Sequence, residues 1–126
     1  WPSSFASVPA LTWQPVVTRS DSEVAAMRPD WRAQYEARVA RERDEYLLAN
    51  MGECVARNNP NAVRDTALNS TSAEAYRASI QPLVTALQTC LPQGSSVRIR
   101  PDQLRGAALY AYARMAIQLP GNGGGQ

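Results

Sequence analysis

The stretch GECVARNNPNAVRDTAL, residues 52–68, sets the helical pattern of the chain. Its first part continues a long amphipathic segment, and NNP at 58–60 then stops one helix and begins the next. Asn59 is a favoured N-cap residue, and Pro60 suits the first position of a helix. We therefore predict two helices that meet at this point, with Cys54 near the end of the first.

The segment before this junction predicts the longest helix, over about 29–57. Its apolar residues recur at helical spacing, and its opposite face is charged. Acidic and basic side chains alternate at i,i+4 on that face, in the pairs Arg32–Glu36, Arg38–Glu42 and Arg41–Glu45. A face that neutralises itself in this way is typical of a solvated surface and not of a groove for a polyanion.

The remaining elements are predicted from caps and periodicity. A short helix covers about 60–68, and TSAE at 71–74 is a capping box that begins another helix. Pro82 interrupts the apolar stripe of that helix and predicts a kink or a fresh start. SVRIR at 96–100 alternates as a short strand, and a last, central helix follows at about 102–118.

Before the long helix, TWQPVVT at 12–18 predicts a short edge strand, and SDSE at 20–23 predicts a capped helical turn. The fold class is therefore mainly α: a single small helical domain of four to five helices, with at most a minor two-stranded β element and one disulfide. We divide the chain into an extended N-terminal arm at 1–19, a helical domain at 20–119 and a flexible glycine-rich tail at 120–126.

The chain has two cysteines, Cys54 and Cys90, each beside an apolar helical segment. Their position, with no other thiol in the chain, favours a disulfide between them. Closing a loop of this length stabilises a fold by about 3–4 kcal/mol in the chain-entropy model. The alternative is a pair of buried free thiols. A bridge implies an oxidising compartment.

Composition excludes several chemistries. All 13 basic residues are arginine and there is no histidine, so Ser-His, Cys-His and lysine-based nucleophiles and histidine metal ligands are absent. We predict no cofactor and no metal. The carboxylates Glu42, Asp44 and Glu45 keep a glycoside hydrolase as a third hypothesis, although salt bridging is the favoured interpretation.

The net charge of +2 does not indicate a nucleic-acid partner, and the apolar run at 106–119 is too short to span a membrane.

Two groups of residues are candidate binding sites. The first is an anion or partner patch, with protection of an edge strand as its alternative; its members are Arg98, Arg100 and Arg105. The second is an apolar pocket between helices, with an ordinary core as its alternative; its members are Met51, Tyr76, Tyr110, Tyr112 and Met115.

The pattern GECVARNNP, LQTCLPQG and VRIRPDQLRGAALYAYARM resembles a group of small exported bacterial proteins with paired cysteines and no assigned function. The likeness covers about residues 50–115. It implies no catalytic residue, and it favours a periplasmic or secreted location. WPSSFASVPA at 1–10 lacks the basic and long apolar regions of a signal peptide.

The sequence therefore predicts an exported, non-enzymatic protein that acts through protein–protein interaction with an unknown partner or as a homodimer. The alternative is a carrier of a small apolar or anionic molecule, with its pocket between the helices.

Overall fold

The computed structural model describes residues 1–68, 72–92 and 98–119. It contains five α-helices, and none of the described residues is in a β-strand. In chain order they are α1 (Asp21–Ala25), α2 (Pro29–Asn58), α3 (Pro60–Leu68), α4 (Ala73–Cys90) and α5 (Pro101–Ala116). The predicted small helical domain is confirmed, and so is its disulfide between Cys54 and Cys90.

Local caps explain where three of the helices begin. Ser20 and Glu23 form the predicted capping box at α1, because the Ser20 hydroxyl accepts the Glu23 N–H at 3.2 Å and the Glu23 carboxylate accepts the Ser20 N–H at 3.3 Å. Asn59 caps α3 as predicted, since its side-chain oxygen accepts the Ala62 N–H at 3.2 Å. The cap of α4 is Ser72, one residue later than predicted, and Thr71 lies outside the described residues.

The predicted strand at 12–18 is wrong, because a strand needs a neighbouring strand to pair with and none of the described residues is in one. The Thr12 carbonyl instead accepts from Arg114 at 3.3 Å. At Pro82 the predicted fresh start does not occur, because α4 is continuous from Ala73 to Cys90. The backbone bond that Pro82 cannot make would go to the carbonyl of Ala78, and both residues are exposed, so water can satisfy that carbonyl.

The predicted strand at 96–100 falls partly on residues that are not described, and its last three residues are in no strand. The predicted tail at 120–126 also lies outside the described residues.

The predicted central helix, α5, packs against α2, α3 and α4. Its approach to α2 is close at Gly52: a Cβ atom there would lie 2.6 Å from the backbone carbon of Ala107. Only a residue without a side chain permits that backbone contact. The core around this crossing is made by side chains from every long helix, including Val55, Val63, Leu83 and Met115.

Most of α2 before Met51 lies outside this core. Its 30 residues make it the longest helix, yet only Val39 is buried among its first 22 positions. Such a helix is about 45 Å long, whereas the 16 residues of α5 span about 24 Å. α2 therefore has a long solvated portion, as its charge pattern predicted. None of the described helices is long and apolar enough to cross a membrane.

Candidate functional site

A groove of about 500 Å³ lies between α2 and the segment that leads into α5. We call it the α2–α5 groove. Its apolar floor is formed by Leu47, Leu48, Met51 and Ile99, and its rim by Arg41, Asp44, Glu45, Arg98 and Gln103. Because Leu47 and Met51 are four residues apart, they lie on one side of α2. Met51 is buried, whereas Leu47 is 49% exposed, so the floor rises from the core to the surface.

The rim of the groove carries charges of both signs. Arg41 and Glu45 form an exposed ion pair at 3.9 Å, as the i,i+4 spacing predicted. The neighbouring predicted pair, Arg38 with Glu42, is also present at 2.7 Å. Such exposed pairs contribute little stability and leave the rim close to neutral. Among the described residues, no three acidic or cysteine side chains are grouped to hold a metal ion.

The predicted pair of Arg32 with Glu36 is replaced by a different arrangement. Arg32 donates to the carbonyl oxygens of Val24, Ala25 and Met27, at 3.0–3.1 Å. These carbonyls belong to the last residues of α1 and the turn after it, where few intrahelical partners are available, and that of Val24 also accepts the Met27 N–H at 3.1 Å. A cation that satisfies several carbonyls at a helix C-terminus is favoured over one exposed ion pair.

The three arginines of the predicted patch have three different sets of neighbours. Arg98 lines the α2–α5 groove, and Arg100 pairs with Asp102 at 3.6 Å on the exposed start of α5. Arg105 is directed to α3 and α4: it donates to the Thr66 carbonyl at 3.1 Å and lies over the ring of Tyr76. Of the three, Arg98 is therefore the one that belongs to the groove.

The five residues of the predicted apolar pocket are also divided. Met51, Tyr112 and Met115 are buried members of the core, and Tyr76 packs against that core from α4. Tyr110 is 61% exposed, and its ring lies 6.0 Å from that of Trp13. Met51 is the member that also lines the α2–α5 groove.

The disulfide joins the last turn of α4 to α2, one turn before α2 ends. Asn58 lies beside it: the side-chain amide nitrogen is 3.3 Å from Cys90 Sγ and 3.6 Å from Cys54 Sγ. The bridge therefore fixes the ends of two helices whose connection through α3 spans residues 59–72.

The contacts that hold the arm, residues 1–19, to the helices are not among the sequence-based predictions. Arg57 donates to the carbonyl oxygens of Phe5 at 3.2 Å, Val8 at 2.8 Å and Pro9 at 2.7 Å. Its Nε also donates to Glu53 at 3.0 Å. Three main-chain carbonyls of the arm are thus bound by one guanidinium, which carries enough N–H groups to serve all of these acceptors.

Glu53 holds the next part of the arm. Its two carboxylate oxygens accept the Leu11 N–H at 3.0 Å and the Trp13 indole N–H at 2.8 Å. Burial alone would raise the pKa of Glu53, but the bonds from Leu11, Trp13 and Arg57 outweigh it and lower that pKa below 4.5. A signal for this role exists in the sequence, because Glu53 stands in an apolar run four residues before an arginine.

Side chains of α5 complete the arm's surroundings. Tyr112 donates its hydroxyl to the Pro2 carbonyl at 2.6 Å, and its ring meets that of Phe5 edge-on. Burial raises the pKa of Tyr112, so the phenol keeps its proton at neutral pH. Arg114 lies 4.5 Å over the Trp13 ring. We call the set Glu53, Arg57, Tyr112 and Arg114 the arm cleft.

No family model matches this chain, and comparison with curated proteins and with solved structures finds no match either. The fold and its two surfaces, the α2–α5 groove and the arm cleft, are therefore the basis for any functional proposal.

Proposed function

We propose that this protein is exported and acts, without catalysis, by binding another protein at the α2–α5 groove. The observation that carries the proposal is the apolar floor of that groove, which reaches the surface at Leu47 and Ile99. Half-exposed aliphatic side chains with charged residues around them have the arrangement of interface centres, where an apolar patch is surrounded by a polar rim.

The groove suits a short apolar segment of the partner, such as one face of a helix. Burial of Leu47 and Ile99 under that segment supplies affinity, while the rim charges set its orientation. Arg98 is the rim residue with the strongest expected effect, because arginine is common among residues that dominate binding energy and the other rim arginine, Arg41, is already paired with Glu45.

Export is supported by the disulfide. Glutathione and thioredoxin keep thiols reduced in the cytosol, so a structural bridge is typical of the periplasm or the extracellular space. The resemblance to small exported proteins with paired cysteines points the same way. A periplasmic or secreted location is therefore part of the proposal.

A small-molecule carrier is the second candidate, and the size of the groove favours it. Its volume of about 500 Å³ falls in the range of ligand sites. The groove opens on the surface, however, whereas carrier sites usually enclose most of their ligand. The ligand would have to be apolar at the floor and able to tolerate charges of both signs at the rim.

The experiment compares partner recovery by the native chain and by groove variants, using the exported fraction of the source cells without reductant. Leu47→Asp places a charge on the apolar floor, and Arg98→Glu reverses a rim charge. Each is expected to weaken partner binding by about tenfold or more, which corresponds to about 1.4 kcal/mol.

The matched control is Trp31→Ala. Trp31 is 58% exposed on the same helix, but it lies about 24 Å from Leu47 along the helix axis. Binding unchanged by Trp31→Ala and weakened by the groove variants supports the proposal. Equal weakening by all three variants would contradict it. Recovery of a small molecule that Leu47→Asp releases would replace the proposal with the carrier.

A further inference from the structure

The arm is bound mainly through its main chain. Arg57 and Glu53 contact backbone atoms of Phe5, Val8, Pro9 and Leu11, as described above. Proteins that recognise extended peptides use the same mode, in which main-chain hydrogen bonds give affinity and side-chain pockets give specificity. The arm cleft is thus built like a peptide-binding site that already contains a peptide of the same chain.

Three apolar side chains of the arm are buried at this site, and the pockets that hold them give the site its specificity. Phe5, Val8 and Leu11 recur at steps of three residues and are all buried in the core. Phe5, the most buried, is 2% exposed. A foreign peptide would need three apolar residues at this spacing, followed by an indole in reach of Glu53. Within residues 1–68, 72–92 and 98–119, the arm is the segment that meets these requirements.

The last part of the arm, residues 14–19, links residues 1–13 to α1 and is held much less closely. Residues 14–19 have no regular secondary structure, and most of them are exposed, including Val17. Cavities of about 200 and 480 Å³ lie where this segment runs along α2. A tightly bound anchor joined to the domain by a loosely packed linker is the arrangement that permits exchange of the anchor between molecules.

We propose that the arm cleft binds the arm of a second copy of this chain, so that two molecules exchange residues 1–13 reciprocally. Each cleft in the dimer then makes the contacts that it makes in the monomer. The linker of six residues reaches about 20 Å when extended, which limits the distance between α1 of one chain and the cleft of the other. This surface is separate from the α2–α5 groove, so neither proposal depends on the other.

Protein concentration controls the exchange. A tethered arm meets its own cleft at an effective concentration of the order of millimolar, so the monomer prevails in dilute solution. The dimer is expected to increase with protein concentration, and it forms slowly because each arm must first leave its cleft. Reciprocal exchange closes the assembly at two chains, and longer oligomers are not expected.

Two variants of the full chain test the exchange by complementation. In the cleft variant, Arg57→Ala removes the donor to three arm carbonyls. In the arm variant, Phe5→Ala with Leu11→Ala removes two anchors. Each variant has one intact half, and a mixed dimer contains one native arm in one native cleft. Each set of substitutions is chosen to release the arm of its own chain, so neither variant alone forms a stable exchanged pair. Native mass spectrometry of the mixture is expected to show the mixed dimer in excess over both pure dimers.

Mixed dimers in excess over both pure dimers support the proposal, whereas monomers alone, from variants that keep helical circular dichroism, overturn it. If a variant does not fold, the native chain still tests the proposal. A dimer of labelled and unlabelled chains, prepared at millimolar concentration, is expected to give an intermolecular nuclear Overhauser effect between Phe5 and Tyr112, whose ring centroids are 5.0 Å apart. Absence of a dimer, or a dimer without that signal, would overturn the proposal.

Discussion

A buried carboxylate such as that of Glu53 remains charged only where hydrogen-bond donors replace the water that it has lost. Glu53 is 8% exposed, and it accepts from a backbone N–H, an indole N–H and a guanidinium. Removal of water from a charge costs several kcal/mol, so the site is favourable only with this full set of donors. At the residue scale, the fold therefore depends on an ionised Glu53.

The lowered pKa of Glu53 makes stability depend on pH. The folded chain holds this carboxyl deprotonated at a pH where the unfolded chain, with a pKa near 4.5, begins to protonate it. The stabilisation is complete above pH 4.5 and is lost as the pH falls through the lower folded pKa. We expect urea unfolding midpoints to decrease as the pH falls below 4.5, and Glu53→Gln to reduce that dependence.

The same variant is expected to lose about 1–3 kcal/mol at pH 7, because an amide cannot accept all of the bonds that the carboxylate accepts. Glu45→Gln is the control, since the exposed pair of Glu45 with Arg41 contributes little. If Glu53→Gln retained the acid dependence of the native chain, Glu53 would not be its source.

Residue-level prediction from sequence worked where partners are local and failed where they are distant. The pair Arg38–Glu42 follows from i,i+4 spacing and is present. Arg57 bonds to arm carbonyls up to 52 positions away, and spacing along one helix cannot reveal such partners. Arg32 shows the same limit, because the carbonyls that it binds depend on how α1 meets α2.

At the scale of elements, the close contact of α2 with α5 depends on a glycine, Gly52, which has no side chain. The close approach of Gly52 to Ala107 leaves no room for a Cβ atom between the two backbones. Gly106, the residue beside Ala107, has nothing within 4 Å of the position where a Cβ would stand. Two glycines on facing helices thus have opposite packing requirements.

We expect Gly52→Ala to destabilise the fold by about 1–3 kcal/mol, because the helices must move apart around the added methyl group. Gly106→Ala is the matched control, and it is expected to stabilise by about 0.5–1 kcal/mol through helix propensity. Chemical denaturation of both variants measures the difference. A Gly52→Ala variant as stable as Gly106→Ala would contradict the close contact.

Helices were predictable from sequence because their signals are local. Caps at Ser20 and Asn59 and the helical period mark α1, α2 and α3 to within a residue or two. The strand expected at 12–18 was wrong because a strand depends on a distant pairing partner, and none of the described residues supplies one. The groove could be foreseen only in part, through Met51 and Arg98, since its walls come from α2 and from residues that precede α5.

At the scale of the whole molecule, three distant parts of the chain hold the core together. The arm contributes Phe5, Val8 and Leu11, α2 contributes its last third, and the disulfide ties α2 to α4. A domain of ordinary size is stable by only about 5–15 kcal/mol. Loss of any one of these three contributions would therefore remove a large fraction of the total stability.

The disulfide is the part whose contribution to stability can be measured most directly. Cys54 and Cys90 are 36 positions apart, and a loop of that length predicts a loss of about 3–4 kcal/mol when the bridge is removed. We expect this loss in the double variant Cys54→Ser/Cys90→Ser, measured by urea unfolding. The native chain in excess dithiothreitol is the matched control, and its unfolding midpoint should agree with that of the variant.

Equal stability with and without the bridge would contradict a structural role for it, and it would also remove the main support for an exported protein. With the expected loss, a chain that entered a reducing compartment would lose about 3–4 kcal/mol from a typical domain stability of about 5–15 kcal/mol. The same measurement therefore tests the disulfide and the proposed location together, because a protein that needs its bridge to stay folded must work where the bridge persists.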